Sequence, residues 1–266
     1  MSRYVYSRSL IDGLAGGTDR CLGWARVQDD RAVPVSGPPF DGHPEPCGPD
    51  RLLAELPLDA PALPGAKIVC AARNYRKHAE ELSNAVPSEP LIFLKPASAL
   101  TAPDTPIMLP TSHSQLVHHE GELAVVIGRR AHRIAPSDVP GYILGYTCFN
   151  DVTARDLQRR DGCFSRAKGF DTFAPMGPWI DTDFRVASQA LRLWVNGDIR
   201  QDGSLDQMLF DVPTLVSWIS EIMTLEPGDI IATGTPAGVG VLSPGDIVRL
   251  EIEGLGSLSN PVRARG

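Results

Sequence analysis

From residue 63 onward, short apolar runs rich in Val and Ile recur between clusters of Gly, Pro, Asn and Asp. They are Lys67 to Ala71, Leu91 to Leu94, Leu123 to Ile127, Ile143 to Phe149, Leu191 to Val195, Ile230 to Thr233 and Ile247 to Ile252. Runs of this length and composition, bounded by turn residues, predict strands with little exposed surface. Asn196-Gly197, Pro227-Gly228-Asp229 and Pro244-Gly245-Asp246 predict turns, because Pro presets one backbone angle and Gly accepts the next. Helical spacing is clearest from Val212 to Met223, where Asp211 is placed to cap the first turn, and a shorter helix is predicted from Tyr75 to Leu82. Strands outnumber helices and do not alternate with them. The fold expected is therefore mixed α+β, mainly β, built on a rolled mixed β-sheet rather than a doubly wound parallel one.

Residues 1–62 read differently. They are rich in Gly and Pro and hold only short strand-like pieces such as Cys21 to Val27, with a helical turn possible at Asp50 to Leu56. Ala60-Pro-Ala-Leu-Pro-Gly65 has the composition of a linker. The expected organisation is a small N-terminal β-rich domain, 1–62, and a larger catalytic domain, 63–266.

A chain of 266 residues can bury a core large enough to enclose a site. Its formal charge of -7 and the lack of any long Lys/Arg run argue against a nucleic-acid partner. No run approaches the length needed to cross a bilayer, and Met1 to Arg20 lacks the apolar core of a secretory signal. The expectation is a soluble cytoplasmic protein without a membrane partner. Five cysteines, in odd number and without paired metal spacing, are expected to be reduced thiols.

The strongest chemical signal is acidic. Glu120 and Glu122 stand at the head of the apolar run Leu123 to Ile127, and strand periodicity would aim both at one face. Asp151 ends the run that begins at Tyr142. Three carboxylates with no obvious counter-charge in the sequence call for a bound cation, and an all-oxygen donor set favours Mg2+ or Mn2+. Glu-x-Glu alone is more often a solvated strand face, and Asp151 alone is more often a helix N-cap before Thr153 to Gln158. His118 shares parity with the two glutamates and is expected beside them, whereas His119 should face away.

His78 and Glu81 are three residues apart on the predicted helix, which suits a carboxylate-oriented imidazole; a weak surface ion pair is the commoner use of that spacing. Lys168 suits an anionic substrate or a developing negative charge, though a solvated lysine is as ordinary. Thr233-Gly-Thr-Pro-Ala-Gly-Val-Gly240 follows a strand and presents backbone N-H groups at a turn, including those of Gly234 and Thr235, without the Gly-Lys-Ser/Thr ending of a phosphate loop.

Taken in order, Lys67 to Tyr75, Ile92-Phe-Leu-Lys-Pro96, Glu120-Gly-Glu122, Asn150 to Gln158, Lys168 to Trp179 and Thr233 to Gly240 resemble the fumarylacetoacetate hydrolase family. The resemblance covers roughly residues 63–262 and is nearest to the shorter acylpyruvate hydrolase, oxaloacetate decarboxylase and 2-hydroxyhepta-2,4-diene-1,7-dioate isomerase-like members. It implies a homodimer, a Mg2+ or Mn2+ ion on Glu120, Glu122 and Asp151, and catalytic roles for His78, Glu81 and Lys168. It also implies substrate contacts from Arg73, Tyr75, Arg155, Gln158, Gly234 and Thr235. Where the family pattern has Val-Gly, this chain has Ala71-Ala72-Arg73; if that glycine serves a positive φ, Ala72 should shift the local backbone.

The function expected from the residues and the resemblance is hydrolytic C-C cleavage of a 3-acylpyruvate, a 2-oxo acid. His78 would deprotonate water, with pyruvate enolate leaving on the dication. Oxaloacetate decarboxylation and diene isomerisation could use the same site. A metabolite-binding protein without turnover is the alternative from another class, and the joint presence of His78, Glu81 and Lys168 counts against it.

Overall fold

The computed structural model describes residues 2–12, 22–42 and 44–265. Cys21 and His43 lie outside them. The predicted strands are present at nearly the expected bounds, as Ile68–Ala72, Leu91–Lys95, Gly121–Ile127, Ile143–Asn150, Ala190–Val195, Ile230–Ala232 and Ile247–Ile252. The longer helix spans Val212–Ile222, and Asp211 caps it by accepting a hydrogen bond from the Thr214 N-H at 2.9 Å. The shorter spans Arg76–Glu81.

An eleven-stranded mixed sheet forms the frame. At its centre lies Gly121–Ile127, antiparallel to Ile143–Asn150 on one side and to Ile230–Ala232 on the other. Beyond Ile230–Ala232 the parallel strand Ile68–Ala72 and then Leu91–Lys95 complete that half. A five-stranded sheet, ordered Asp198–Ser204, Ala190–Val195, Ile247–Ile252, Gly256–Ala264 and Ile107–Leu109, packs against one face.

The central strand explains why its sequence reads as a continuous apolar run instead of an alternating one. Leu123, Val125 and Ile127 enter the core shared with the five-stranded sheet, while Ala124 and Val126 enter a second core on the opposite face with Ile68, Cys70 and Phe149. Successive side chains of a strand point to opposite faces, so a strand covered on both sides has no position left for a polar residue. The predicted Asn196-Gly197 turn joins Ala190–Val195 to Asp198–Ser204, with positive φ at both residues (54° and 88°) as a tight hairpin of right-handed strand twist requires.

The described residues of the N-terminal segment add to this frame. Arg3–Tyr6 pairs with Ala174–Asp181, and Trp24–Gln28, Arg31–Pro34 and Arg51–Leu52 extend the same sheet outward over a small core of Val5, Leu10, Ala25, Val27, Ala32 and Leu56. The turn expected at Asp50 to Leu56 narrows to the 3-10 turn Leu53–Glu55. Cys47 is disulfide-bonded, contrary to the expectation of reduced thiols, whereas Cys70, Cys148 and Cys163 are free. Among the described residues no helix is long and apolar enough to cross a membrane.

Candidate active site

Register places the acids together. Gly121 pairs with Asn150 and Glu122 with Phe149, so the start of one central strand lies beside the end of its neighbour, where Asp151 follows. The Asp151 N-H donates to the Glu120 carbonyl at 2.8 Å, and the Glu120 N-H donates to Asn150 Oδ1 at 2.9 Å. One oxygen each from Glu120, Glu122 and Asp151 falls within 4.8 Å of the others, and all three side chains are buried. Asp151 is not a helix cap, since the following helix, Arg155–Asp161, begins after Ala154 with no side-chain cap.

The expectation that these acids lack counter-charges is wrong. Lys168 Nζ donates to Glu120 Oε2 at 2.8 Å and also to Asp151, and Arg155 pairs with Glu120. Lys95, which sequence reasoning did not assign to the site, donates from Nζ to Asp151 Oδ1 at 2.6 Å and to the Val152 carbonyl at 3.2 Å. Its signal was present: a lysine closing the apolar strand Leu91–Lys95, whose side chain has 0% exposure. Charge within reach of water would not need such a partner; charge this deep does.

Burial pushes Glu122 well above the usual carboxylate range, and the nearby Asp151 pushes it further. Burial would also raise Asp151, but Lys168 and Lys95 outweigh it and hold its carboxyl below the ordinary value. The two carboxylates are thus driven apart in proton affinity. The donor set fits a divalent hard cation: all oxygen, converging, and carrying one carboxylate whose charged form lacks sufficient compensation.

His78, on the Arg76–Glu81 helix, is 5% exposed and sits with Nε2 3.9 Å from Glu120 Oε1. Burial, with Arg155 and Lys168 beside it, lowers its pKa to about 3, so the imidazole is neutral. Glu81 lies 3.5 Å from His78 Nδ1, which has no hydrogen-bond partner. The Glu81 carboxylate instead accepts from the Gly238 N-H at 3.0 and 3.2 Å, fastening the helix to the Thr233–Gly240 loop. That approach requires glycine: φ is +101°, and a Cβ there would lie 2.0 Å from the Arg200 carbonyl oxygen.

The Thr233–Gly240 loop is held from within. The Gly234 N-H donates to Glu122 Oε2 at 2.8 Å, and Gly234 itself (φ +96°) would carry a Cβ 2.7 Å from Asn74 Cβ. Thr235 lines the cleft, but its hydroxyl donates to the Gly121 carbonyl at 2.8 Å and accepts from Gln201 Nε2 at 2.7 Å. Asn74 is another residue that sequence reasoning missed. Its amide donates to the Thr233 and Phe210 carbonyls at 2.8 and 2.9 Å and accepts from the Phe210 N-H, locking the approach to the helix.

The other substrate-contact candidates divide. Arg73, Arg155 and Gln158 line the acid cleft, and Arg155 Nη1 donates to Gln158 Oε1 at 2.8 Å. Tyr75 does not line it; buried and with its hydroxyl unpartnered, it borders a separate cavity of about 240 Å³ with Gln207 and Pro236. Ala72 causes no backbone shift, because the positive φ falls on Arg73, at 56°. Val117–His119 and Gly121–Ile127 are separate strands, yet the histidines keep the expected parity, with His118 beside Arg155, the partner of Glu120, and His119 turned away. His119 is the fully buried one, turned to Gln201, while His118 is only partly covered and lies 3.5 Å from Arg155 Nε.

The acid cleft itself encloses about 30 Å³ and adjoins a cavity of about 440 Å³. Arg73, Arg155, Arg159, Asn84 and Gln158 line the larger space, and its one acid, Glu81, is already bound to Gly238. A still larger cavity, about 750 Å³, lies away from this chemistry, between the N-terminal strands and residues 97–105.

A rolled mixed sheet opening on three converging carboxylates, a buried neutral imidazole and three cations is an enzyme architecture. The chain belongs to the fumarylacetoacetate hydrolase family: the family described as "Fumarylacetoacetate (FAA) hydrolase C-terminal" matches residues 67–263. It is 44% identical over 198 residues to a mitochondrial oxaloacetate decarboxylase of Dictyostelium discoideum, covering 72% of this chain and 90% of the relative. The crystal structure of a 2-hydroxyhepta-2,4-diene-1,7-dioate isomerase from Mycobacterium marinum superposes with a TM-score of 0.86 at 41% identity, covering 100% of this chain and 98% of that one. A fumarylpyruvate hydrolase from Pseudomonas aeruginosa, solved with Mn2+ and pyruvate, superposes with a TM-score of 0.71 at 34% identity over 76% of this chain and 91% of that one.

Proposed function

We propose that the chain is a Mg2+- or Mn2+-dependent enzyme that hydrolyses a C-C bond in a 3-acylpyruvate carrying a second carboxylate, a 2-oxo diacid. The observation that carries this reading is the charge balance of the cleft. Glu120, Glu122 and Asp151 face Lys95, Lys168 and Arg155, so the fixed charges cancel and a dication leaves two positive charges in a buried space. A dianionic substrate restores neutrality, and Arg73 and Arg159, which line the larger cavity, have no acidic side chain as partner among the described residues. Relatives that are named for a decarboxylase, an isomerase and a hydrolase support the same site chemistry without choosing among its outcomes.

The dication would be held by Glu120, Glu122 and Asp151 and would supply Lewis acidity toward the 2-oxo acid. Within the chain, neutral His78 takes the proton of a water, and hydroxide adds to the distal carbonyl carbon. The bond between that carbon and the adjacent methylene breaks, its electron pair passing into pyruvate enolate, and His78 returns the proton to the methylene carbon. The products are pyruvate and a carboxylic acid, which ionises and releases one proton to solvent. Lys168 and Arg155, which line the cleft, would stabilise the negative charge that gathers on the substrate oxygens. Arg73 and Arg159 hold the far carboxylate. A homodimer is part of the proposal and is read from sedimentation of the purified chain.

A second reading, decarboxylation of oxaloacetate, is favoured by the small volume beside the acids and by the absence of a His78–Glu81 hydrogen bond. It needs no activated water. Purified protein assayed on fumarylpyruvate, a monoanionic acylpyruvate with an uncharged acyl group, oxaloacetate and an unsaturated 2-oxo diacid, before and after chelation, separates the readings. Equal turnover with and without chelator, or a preference for the monoanionic acylpyruvate, would remove the proposal.

A further inference from the structure

The Glu120-Gly121-Glu122 segment and the Thr233–Gly240 loop are joined by a side chain that no part of the reaction above uses. Gln201 is fully buried on Asp198–Ser204, the outer strand of the five-stranded sheet. Its Oε1 accepts from the Gly121 N-H at 2.9 Å and lies 3.3 Å from His119 Nδ1. Its Nε2 donates to Thr235 Oγ1 at 2.7 Å and to the Pro236 carbonyl at 2.8 Å. The amide cannot be turned over, because Gly121 N-H can only donate and the Pro236 carbonyl can only accept. It follows that His119 carries its proton on Nδ1, leaving Nε2 buried and unpartnered.

Thr235 closes the circuit by donating to the Gly121 carbonyl at 2.8 Å. Both backbone polar groups of the residue between the two glutamates are therefore fixed by one uncharged network, and the same network fixes the loop whose Gly234 N-H orients Glu122. A glutamine suits this position because it offers two donors and an acceptor in one plane and adds no charge to a balanced cluster.

We propose that Gln201 is a positioning residue that, with His119 and Thr235, sets the spacing of Glu120 and Glu122 and so the affinity of the site for its divalent ion. Gln201 touches neither substrate nor metal; it acts through Gly121 and Thr235. The proposal rests on the metal reading given above. Partners of this kind typically contribute about tenfold to a hundredfold in metal affinity.

The test is Mn2+ binding to the metal-free full chain by calorimetry, with thermal unfolding measured on the same samples. Gln201→Leu is expected to weaken Mn2+ binding by roughly tenfold or more. Thr235→Val, which removes only the hydroxyl link and keeps the fold accessible if Gln201→Leu does not fold, is expected to do the same. Thr235→Ser keeps the hydroxyl and should restore binding to near the unmodified value. The double variant should lose little beyond the larger single loss, since both changes open one network. A lowered melting temperature with Mn2+ affinity within about twofold of the original would overturn the proposal, leaving Gln201 merely structural. Additive losses, or no rescue by serine, would do so as well. No Mn2+ uptake by the unmodified chain would overturn both this proposal and the metal reading, whereas uptake unaltered by the variants overturns only this one.

Discussion

Lys95 Nζ reaches Asp151 Oδ1 at 2.6 Å while Lys168 takes the other oxygen, so a single buried carboxylate is held between two ammonium groups. Each oxygen of Asp151 has its own cation. The arrangement fixes which way the carboxylate faces and keeps it ionised against its burial.

Lys95→Met tests that hold. The variant keeps most of the stem volume and removes the charge, which leaves Asp151 with Lys168 alone. Breaking one partner of a buried ion pair costs about 3–5 kcal/mol, and the remaining cation should bring the loss toward the lower end. We expect a clear fall in the urea midpoint of the metal-free protein and weaker Mn2+ binding. A midpoint unchanged in Lys95→Met would show that the pair contributes nothing net.

The pH dependence of the metal-free chain follows from Glu122. Its folded-state pKa is raised well above the usual value, so the native state binds a proton that the unfolded chain releases. The stability this proton gives is fully present below the unfolded carboxylate pKa, about 4.3, and is lost as pH rises through the folded value. Asp151 works the other way: its lowered pKa gives stability above its unfolded value that is lost as pH falls. Metal-free protein should therefore lose stability on the alkaline side of this window. Glu122→Gln, which keeps an acceptor for the Gly234 N-H, should flatten that slope and abolish Mn2+ binding. Melting curves recorded with and without chelator, from the ordinary carboxylate range upward in pH, read it directly.

His78→Ala separates the two proposed reactions. A general base is worth about 10²- to 10⁴-fold, so hydrolysis of an acylpyruvate should fall on that scale while Mn2+ binding stays nearly intact. Decarboxylation of oxaloacetate, which needs no deprotonated water, should fall much less. Equal losses in both reactions would remove the distinction, and unchanged hydrolysis would remove His78 as the base. Glu81→Ala should have a different signature: since Glu81 accepts from the Gly238 N-H and makes no hydrogen bond to Nδ1, its loss should loosen the helix and raise KM with kcat less affected.

Much of this arrangement was legible in the chain. The strands were visible because a sheet covered on both faces demands unbroken apolar runs, and the acids stood out because charge at the head of such a run needs a reason. The pairing of the counter-charges was not legible: Lys95 stood out as a lysine closing an apolar run and Arg155 as a site candidate, but their partners Asp151 and Glu120 lie 56 and 35 residues away and meet them only through tertiary folding. Parity survives the break at Glu120: His118 lies against Arg155, the partner of Glu120, and His119 turns away to Gln201. Gln201 carried no local signal at all: on a strand of otherwise mostly polar residues, only its partners distinguish it.

The arginines that line the larger cavity give the last expectation. Arg73 holds a left-handed backbone angle that costs a non-glycine residue about 1 kcal/mol or more, a conformation retained where surrounding structure imposes it and common at functional sites. Arg73 lines the 440 Å³ cavity with Arg159, and no acidic side chain there is free to pair with either. If this pair binds the far carboxylate of a 2-oxo diacid, removing one charge-assisted contact should cost about 1.5–3 kcal/mol, or roughly tenfold to a hundredfold in kcat/KM. Arg73→Gln and Arg159→Gln should each show that loss with fumarylpyruvate and almost none with an acylpyruvate ending in a methyl group. Losses of the same size with both substrates would place the arginines in folding or product release instead of in recognition of the second carboxylate.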